Sequence, residues 1–233
     1  MTYLWAILCF VAALAFAISP WLVDGFNGFA PTQFPVVLEN PPIQPAGFAF
    51  GIWGLIYAWL IIGTGFGVAR RISDLDWEAM RPMLALSLAT GALWIPLAHF
   101  SPIAATLLIW VMLGSAMLSL FKIGDTDRWL QQAPVAIYAG WLTAAACVAT
   151  GVVLGGYGWV NPTLAALIML SLAVAIAVVM QYRLHRAPEY GMTVIWALIG
   201  IIANNWQPFN VAVTGLALIG IFAILSLRAT DTE

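Results

Sequence analysis

Eight long apolar stretches decide what this chain can fold into. A helix needs about 20 mostly apolar residues to cross the hydrocarbon core of a bilayer. Stretches of this length, separated by short polar links, predict eight transmembrane helices. Their expected ranges are 3–23, 47–69, 82–99, 103–121, 135–157, 162–182, 190–206 and 209–227.

The composition argues against a soluble domain. Hydrophobic residues make up 63% of the 233 residues and charged residues 8%, whereas a soluble domain carries about 25% charged residues. Such a chain could not cover its surface in water, but a surface that faces lipid needs no polar cover. The predicted fold class is therefore all-α, a polytopic helical bundle in a membrane. The net charge of −2 gives no reason to expect a nucleic-acid partner.

The basic residues predict an orientation. All eight fall on one side of the eight-span arrangement, in links or after the last span. Because positive residues concentrate in the cytoplasm, we expect a multi-pass protein of the cell inner membrane with both termini cytoplasmic. These residues are Arg70, Arg71, Arg81, Lys122, Arg128, Arg183, Arg186 and Arg228.

The first span admits a second interpretation, as a cleaved signal peptide. Ala13-Leu14-Ala15 and Ala15-Phe16-Ala17 resemble cleavage sites. No basic residue precedes the apolar run, however, and signal peptides normally begin with a positive region. Cleavage would leave seven spans on the same sides.

One predicted extramembrane segment is long, the outer loop 24–46. Its prolines favour an extended, stiff cover over the helix ends, and loops of this length are usually functional or disordered. The loop contains Pro31, Pro35, Pro41, Pro42 and Pro45, and the charged residues Asp24 and Glu39.

The predicted spans contain no Asp, Glu, Lys or Arg. Ion-coupled pumps carry such groups at membrane depth, so neither coupled transport nor an enzyme is expected. Cys9 and Cys147 lie in apolar runs and are expected to pack as small hydrophobes. His99 and His185 fall on opposite sides of the membrane, so no metal site is predicted.

The 12 tryptophans divide into two groups. Half lie at expected interfaces, where indole is favoured between water and lipid. The other half lie within spans, where lipid offers no partner to the indole N–H. We expect these to face the bundle interior, either as core or around a cavity for a flat apolar ligand. The interfacial group is Trp5, Trp21, Trp77, Trp129, Trp159 and Trp206; the group within spans is Trp53, Trp59, Trp94, Trp110, Trp141 and Trp196.

Residues 41–57, PPIQPAGFAFGIWGLIY, carry a motif. It resembles the proline-rich loop and second-helix signature of the tryptophan-rich sensory protein / translocator protein family, including the spacing of Trp53 and Tyr57. Weaker elements follow in family order, at Leu93-Trp94, Leu108-Ile109-Trp110 and Tyr138-(x)2-Trp141.

This resemblance implies a five-helix bundle over residues 1–157, with an additional three-helix membrane segment over 158–233. It implies a receptor or carrier for a hydrophobic, aromatic or tetrapyrrole ligand such as a porphyrin, with the loop as a lid. No other cofactor is implied. The ligand-contacting residues that it implies are Trp53, Tyr57, Trp94, Trp110, Tyr138 and Trp141, with Phe50 and His99 as secondary candidates.

Four positions depart from the family pattern. Gly47, Gly91, Ile95 and Ala149 replace aromatic or polar residues that shape the family pocket. We therefore expect a shared scaffold and a different ligand. The predicted topology places Trp53 in the outer half of the membrane and Trp141 nearer the inner side.

Other interpretations stay open. An uncoupled transporter is favoured by a short repeat, since residues 52–56 (IWGLI) resemble residues 195–199 (IWALI) in a span of opposite direction. A structural subunit of a membrane complex is a further alternative. The expected partners are the lipid bilayer and a small hydrophobic ligand, and a homodimer is left open.

Overall fold

The computed structural model describes residues 2–23 and 28–230. Eight α-helices make up most of this part of the chain, which confirms the all-α fold class. Short 3-10 turns lie at Ser19–Trp21, Pro31–Gln33 and Gly47–Gly51. The helices are α1 (Thr2–Ile18), α2 (Ile52–Arg70), α3 (Leu75–Phe100), α4 (Pro102–Phe121), α5 (Gln132–Gly156), α6 (Pro162–Arg183), α7 (Pro188–Asn204) and α8 (Val211–Thr230).

Seven segments are long and apolar enough to cross a membrane. α1 reaches this length with the 3-10 turn that follows it, and α7, with 17 residues, is the helix that falls short. The two ends of α7 nevertheless lie at opposite ends of the bundle. Glu189 in its first turn pairs with Arg128 of the α4–α5 link. Asn204 at its last turn donates a hydrogen bond to the Pro41 carbonyl in the proline-rich loop. The chain is therefore a multi-pass membrane bundle in which α7 runs its full depth.

One end of the bundle, here called the basic end, brings together the ends of α2, α4, α6 and α8. Arg71, which follows α2, binds Asp127 of the α4–α5 link with Nε 2.6 Å from Oδ2. Arg186 of the α6–α7 link donates to the Leu120 carbonyl at 3.2 Å. Arg228, near the end of α8, donates to a carbonyl of the α6–α7 link at 2.7 Å. These contacts place the three arginines on one side, as the sequence predicts.

The opposite end is called the loop end, because residues 28–50 lie across it. The Gln33 amide donates to the Ala98 carbonyl at the end of α3, at 2.9 Å. The Val36 backbone N–H donates to the Gly156 carbonyl at the end of α5, also at 2.9 Å. The predicted loop 24–46 thus covers the bundle, although its residues 24–27, with Asp24, lie outside the described residues.

The first five helices form a closed ring. α1, α3, α4, α5 and α2 each pack against the next, and α2 returns to α1. α5 also packs against α6 and α7, which α8 covers. α5 is therefore a wall shared by both parts, and 78% of its apolar window is buried, against 28 to 50% in the other spans. The division of the chain after residue 157 stays a prediction.

The start of α3 corrects the sequence analysis. The apolar stretch predicted a span over 82–99. The helix begins at Leu75 instead, because the Asp74 carboxylate caps it and accepts a hydrogen bond from the Asp76 N–H at 3.0 Å. Arg81 therefore lies inside a helix, and the prediction that no span contains a charged residue is wrong.

Arg81 is tolerated there because its guanidinium is fully engaged. The side chain is 2% exposed and donates to the carbonyls of Gly67, Arg71 and Ile72 at 3.1, 2.8 and 3.0 Å. The last carbonyls of a helix have no backbone partner, so Arg81 closes the end of α2. Trp77, predicted at the interface, is also buried, one turn before Arg81.

Candidate functional site

Six aromatic side chains, here called the central aromatic cluster, meet inside the five-helix ring. Trp53 and Tyr57, one turn apart on α2, stack with their centroids 5.3 Å apart. Phe16 of α1 meets both edge-on, at 5.6 and 5.0 Å. Trp141 of α5 lies 6.1 Å from Trp53 and 5.9 Å from Phe50. The members are Phe16, Phe50, Trp53, Tyr57, Tyr138 and Trp141.

Tyr138 supports this cluster from behind. Its side chain is fully buried and lies 5.7 Å from the Phe16 ring. Its hydroxyl is 2.9 Å from Ser87 Oγ, which donates to the Met112 carbonyl at 2.7 Å. These hydrogen bonds tie α5, α3 and α4 together beneath the cluster.

Two adjoining cavities open beside the cluster. The first, called the roofed cavity, has a volume of about 50 Å³ and lies beneath loop residues Phe29, Gln44 and Pro45. The second, called the side cavity, has a volume of about 290 Å³ and extends towards α1. They share four lining residues and so form adjacent parts of one space. The shared residues are Phe50, Trp53, Trp94 and Ile109.

The lining is nearly all apolar in the roofed cavity and mostly apolar in the side cavity. Among the described residues that line them, Tyr57 is the sole ionisable side chain and Gln44 the sole amide. The Trp94 N–H donates to the Ala105 carbonyl at 2.8 Å. The Trp141 N–H is buried with no hydrogen-bond partner in the described part of the chain. Such a lining suits an uncharged ring, since stacking on aromatic faces needs no ionic partner.

The structure brings some of the predicted site residues together and separates others. Phe50, Trp53, Tyr57, Trp94 and Trp141 line one cavity or both. Tyr138 is buried behind them.

Trp110 and His99 do not line either cavity. The Trp110 N–H donates to Thr150 Oγ1 on α5 at 3.0 Å. His99 is exposed at the loop end, where its backbone carbonyl accepts a hydrogen bond from Gln33 at 3.1 Å. Neither residue is therefore among those that a ligand in these cavities would meet.

The six tryptophans within spans do not all converge. Trp53, Trp94 and Trp141 line the cavities. Trp59 donates to the Trp129 carbonyl at 2.6 Å and lines neither cavity. Trp196 is 37% exposed, so the prediction that it faces the interior is wrong. The physical reason is that its N–H already has a partner outside the cavities, the Ala49 carbonyl at 3.0 Å.

Phe16 is a site residue that the sequence analysis missed. It fills space that Gly91 of α3 leaves open, since a Cβ at Gly91 would lie 2.8 Å from the Phe16 ring. Gly91 is also a position where the resemblance expects a polar asparagine. The two positions are therefore complementary, and together they make the pocket less polar. Each residue is visible in the sequence, but their proximity depends on the packing of α1 against α3.

Phe29 was missed as well, and it lies in the loop at 6.4 Å from the Trp94 ring. It lines the roofed cavity from above. No local signal distinguishes it from other aromatic residues of the loop, because its role follows from how the loop folds back.

Comparison with protein-family models gives a match to a family described as TSPO-like protein, over residues 5–228. The match covers nearly the whole chain, and the chain belongs to this family. It agrees with the resemblance carried by residues 41–57, and it continues through α6, α7 and α8. Comparisons with curated proteins and with solved structures give no match.

Proposed function

We propose that this TSPO-like protein is a membrane receptor or carrier that binds a small hydrophobic aromatic ligand in the roofed and side cavities. The observation that carries the proposal is the convergence of Trp53, Tyr57, Trp94 and Trp141 on one aromatic space. Rigid rings of this kind hold a flat molecule by stacking, and they lose little conformational entropy when they do so.

The size and lining of the cavities favour an uncharged ligand smaller than a tetrapyrrole. Pockets for drug-sized molecules measure about 300–1,000 Å³, and the side cavity measures about 290 Å³. The carboxylates of a porphyrin would find no cation among the described lining residues, and burying an unpaired charge is costly. We therefore rank an uncharged fused-ring aromatic first and a tetrapyrrole second.

The proposal is one of binding rather than catalysis. Acid–base chemistry needs an ionisable group within reach of the reacting atom. Of the described residues that line the cavities, Tyr57 alone could supply one, and no second ionisable side chain lines them. The support for a binding role is thus the composition of the lining.

Quenching of tryptophan fluorescence tests the proposal. The purified protein in lipid nanodiscs is titrated with pyrene and, separately, with protoporphyrin IX. We expect saturable quenching at micromolar pyrene and weaker binding of the porphyrin. Trp53→Ala and Trp94→Ala should each weaken pyrene binding about tenfold, because each removes one wall of the cavity.

Trp206→Ala is the matched control, since Trp206 is 61% exposed in the α7–α8 turn and lines neither cavity. It should leave the affinity unchanged. Quenching that does not saturate, or that weakens equally in Trp206→Ala, would contradict the proposal. Pyrene-like flux across vesicles beyond that of protein-free vesicles would instead favour an uncoupled transporter.

We further propose that the basic end faces the cytoplasm of the cell inner membrane, which puts both termini inside. Positive residues are retained on that side, and Arg71, Arg186 and Arg228 lie there. A membrane-impermeant thiol reagent should then label Glu39→Cys in intact cells and Ser73→Cys after lysis alone. The reverse pattern would refute this orientation.

A further inference from the structure

We propose that the ligand reaches the cavities sideways from the lipid bilayer, between the end of α1 and the start of α2, and not past the proline-rich loop. This inference rests on the proposed function, because it concerns access to the same cavities. It departs from the sequence expectation that the loop acts as a lid.

The side cavity reaches the molecular surface at three small residues, Pro20, Gly47 and Gly51, here called the lateral portal. All three line that cavity. Both glycines are exposed, and a Cβ built on either has no described atom within 4 Å. The wall of the five-helix ring is therefore thin at this point, since Gly47 and Gly51, one turn apart, have no side chain to cover it.

The surroundings of the lateral portal are apolar. Ile18, Phe48 and Leu55 flank it in sequence and are 50%, 53% and 50% exposed. The portal residues belong to the membrane-spanning segments Tyr3–Trp21 and Gly47–Arg70. Exposed apolar side chains on such segments face lipid tails, so the portal opens to the hydrocarbon or its outer boundary.

The roof of the cavities, in contrast, is fastened to the bundle. α7 holds residues 41–50 by a hydrogen bond from Asn205 Nδ2 to the Pro42 carbonyl at 2.7 Å. A second one runs from the Ala46 N–H to the Gly200 carbonyl at 2.9 Å. The Trp196 indole N–H donates a third hydrogen bond, to the Ala49 carbonyl within residues 41–50.

The earlier part of the roof is held as well, because Gln33 donates a hydrogen bond to the end of α3 and Val36 donates one to the end of α5. Displacing the roof would leave these donors and acceptors unpaired in a buried or interfacial setting, and each unmade bond is costly. The role that the structure assigns to α7 is thus to hold the roof of the cavities in place.

The chemistry of the ligand favours the same route. An uncharged aromatic molecule partitions into the bilayer and is concentrated there. Passage through the lateral portal keeps it in apolar surroundings from lipid to cavity. Passage beneath the loop would expose it to water first.

Stopped-flow quenching by pyrene in nanodiscs distinguishes the two routes. Gly51→Leu places a branched side chain in the portal, at a backbone φ of −57° that any residue adopts. We expect both the association rate and the dissociation rate to fall by about tenfold, because a narrowed route slows both directions. Gly47→Leu should act in the same way and serves as a second variant if Gly51→Leu folds poorly.

Two matched variants complete the design. Gly54→Leu is the control, since Gly54 lies one turn later, in α2, and does not line the cavity. Like Gly51 it is exposed, and a Cβ built there has no described atom within 4 Å. It should leave both rates unchanged. Asn205→Leu loosens the roof and should leave the association rate unchanged, while its loss of affinity appears as faster dissociation.

Wild-type rates in both portal variants, or faster association in Asn205→Leu, would overturn the lateral route in favour of the loop. The absence of saturable quenching in the wild-type protein is a different result, because it removes the proposed function itself. The two failures are therefore distinguishable in one data set.

Discussion

The two ends of this bundle hold their helices together by different means. At the basic end, charged and polar side chains bridge helix ends, as Arg81 does for α2 and as Arg71 does through Asp127. At the loop end, the irregular backbone of the proline-rich loop is hydrogen-bonded to helix ends by neutral amides such as that of Asn205. Beneath it lie the roofed and side cavities, whereas a cavity beside Trp77 near the basic end measures about 10 Å³.

Because of this difference, we expect the basic end to contribute mainly to the stability of the fold and the loop end to ligand binding. Hydrogen-bonded charges in an apolar setting contribute strongly when every group is satisfied, and their loss is expensive. Unfilled volume, in contrast, lowers stability and is retained where a ligand needs it. We therefore expect substitutions at the basic end to alter folding without altering ligand affinity, and substitutions at the loop end to alter affinity as well.

The largest effect is expected for Arg81→Met. It leaves the carbonyls of Gly67 and Ile72 without this donor and the Arg71 carbonyl with the Asp74 N–H alone, which should lower the free energy of unfolding by about 3 kcal/mol. Thermal unfolding can be followed with a thiol-reactive dye, because Cys9 and Cys147 are buried in the folded protein. Pyrene affinity of the folded fraction should not change.

Arg70→Met is the matched control, since Arg70 is the preceding exposed arginine and lies in the last turn of α2. It should unfold like the wild type. Equal destabilisation by both substitutions would show that Arg81 acts through general charge and not through its three carbonyls.

A smaller effect is expected for Gly200→Ala at the loop end. The added Cβ would lie 2.8 Å from Ala49 Cβ and 2.9 Å from Pro45 Cβ, so the roof must shift. The clash outweighs the gain in helix propensity, for a net loss of about 1–2 kcal/mol. Pyrene affinity should fall too, because Pro45 lines the roofed cavity.

Gly215→Ala on α8 controls for helix propensity, since a Cβ there has no described atom within 4 Å. It should be neutral or slightly stabilising, with unchanged affinity. An unaltered affinity in Gly200→Ala would break the proposed link between the roof and the cavity.

The smallest effect is expected for Asp127→Asn. The hydrogen bond from Arg71, helped by one from Trp77 and opposed by partial burial, holds the pKa of the Asp127 carboxyl below its ordinary value. Because Arg71 is 37% exposed, screening reduces the loss to about 1 kcal/mol at neutral pH. Asparagine tolerates the positive φ of this position as aspartate does.

The sign of the pH dependence follows from the lowered pKa. The carboxylate contributes stability above the unfolded pKa of about 3.9, and this contribution disappears as the pH falls through the lower folded value. The difference in unfolding temperature between wild type and Asp127→Asn should therefore shrink below about pH 4. A difference that stays constant down to pH 3 would show that the carboxylate charge is not involved.

Part of the candidate site could be predicted because it is local. Trp53 and Tyr57 are four residues apart in an apolar helix, so they share one face by helix geometry. The partners of this pair come from other helices. Phe16, Trp94 and Trp141 join it through the packing of α1, α3 and α5.

Other tryptophans could not be assigned by spacing. Trp110 and Trp196 are as apolar in context as Trp53, yet their N–H groups find Thr150 and the Ala49 carbonyl outside the cavities. The hydropathy of a residue is the same whether its side chain faces lipid or is buried in protein. It does not record which neighbour each face of a helix meets.

By itself, the sequence determined the class of protein, the number of helices and the side on which the basic residues lie. Span length and charge are properties of single segments, which a bilayer constrains one at a time. The tertiary structure decided which faces meet. Gly140, for example, lets α5 approach α7 so closely that a Cβ would lie 2.5 Å from the Tyr190 carbonyl.

That close approach sets the rotation of α5, and with it the position of Trp141 across from Trp53. It also brings α7 beneath the proline-rich loop, where Asn205 can hold the roof. Such arrangements depend on side-chain shapes in several helices at once. A reading of one segment at a time therefore leaves them open.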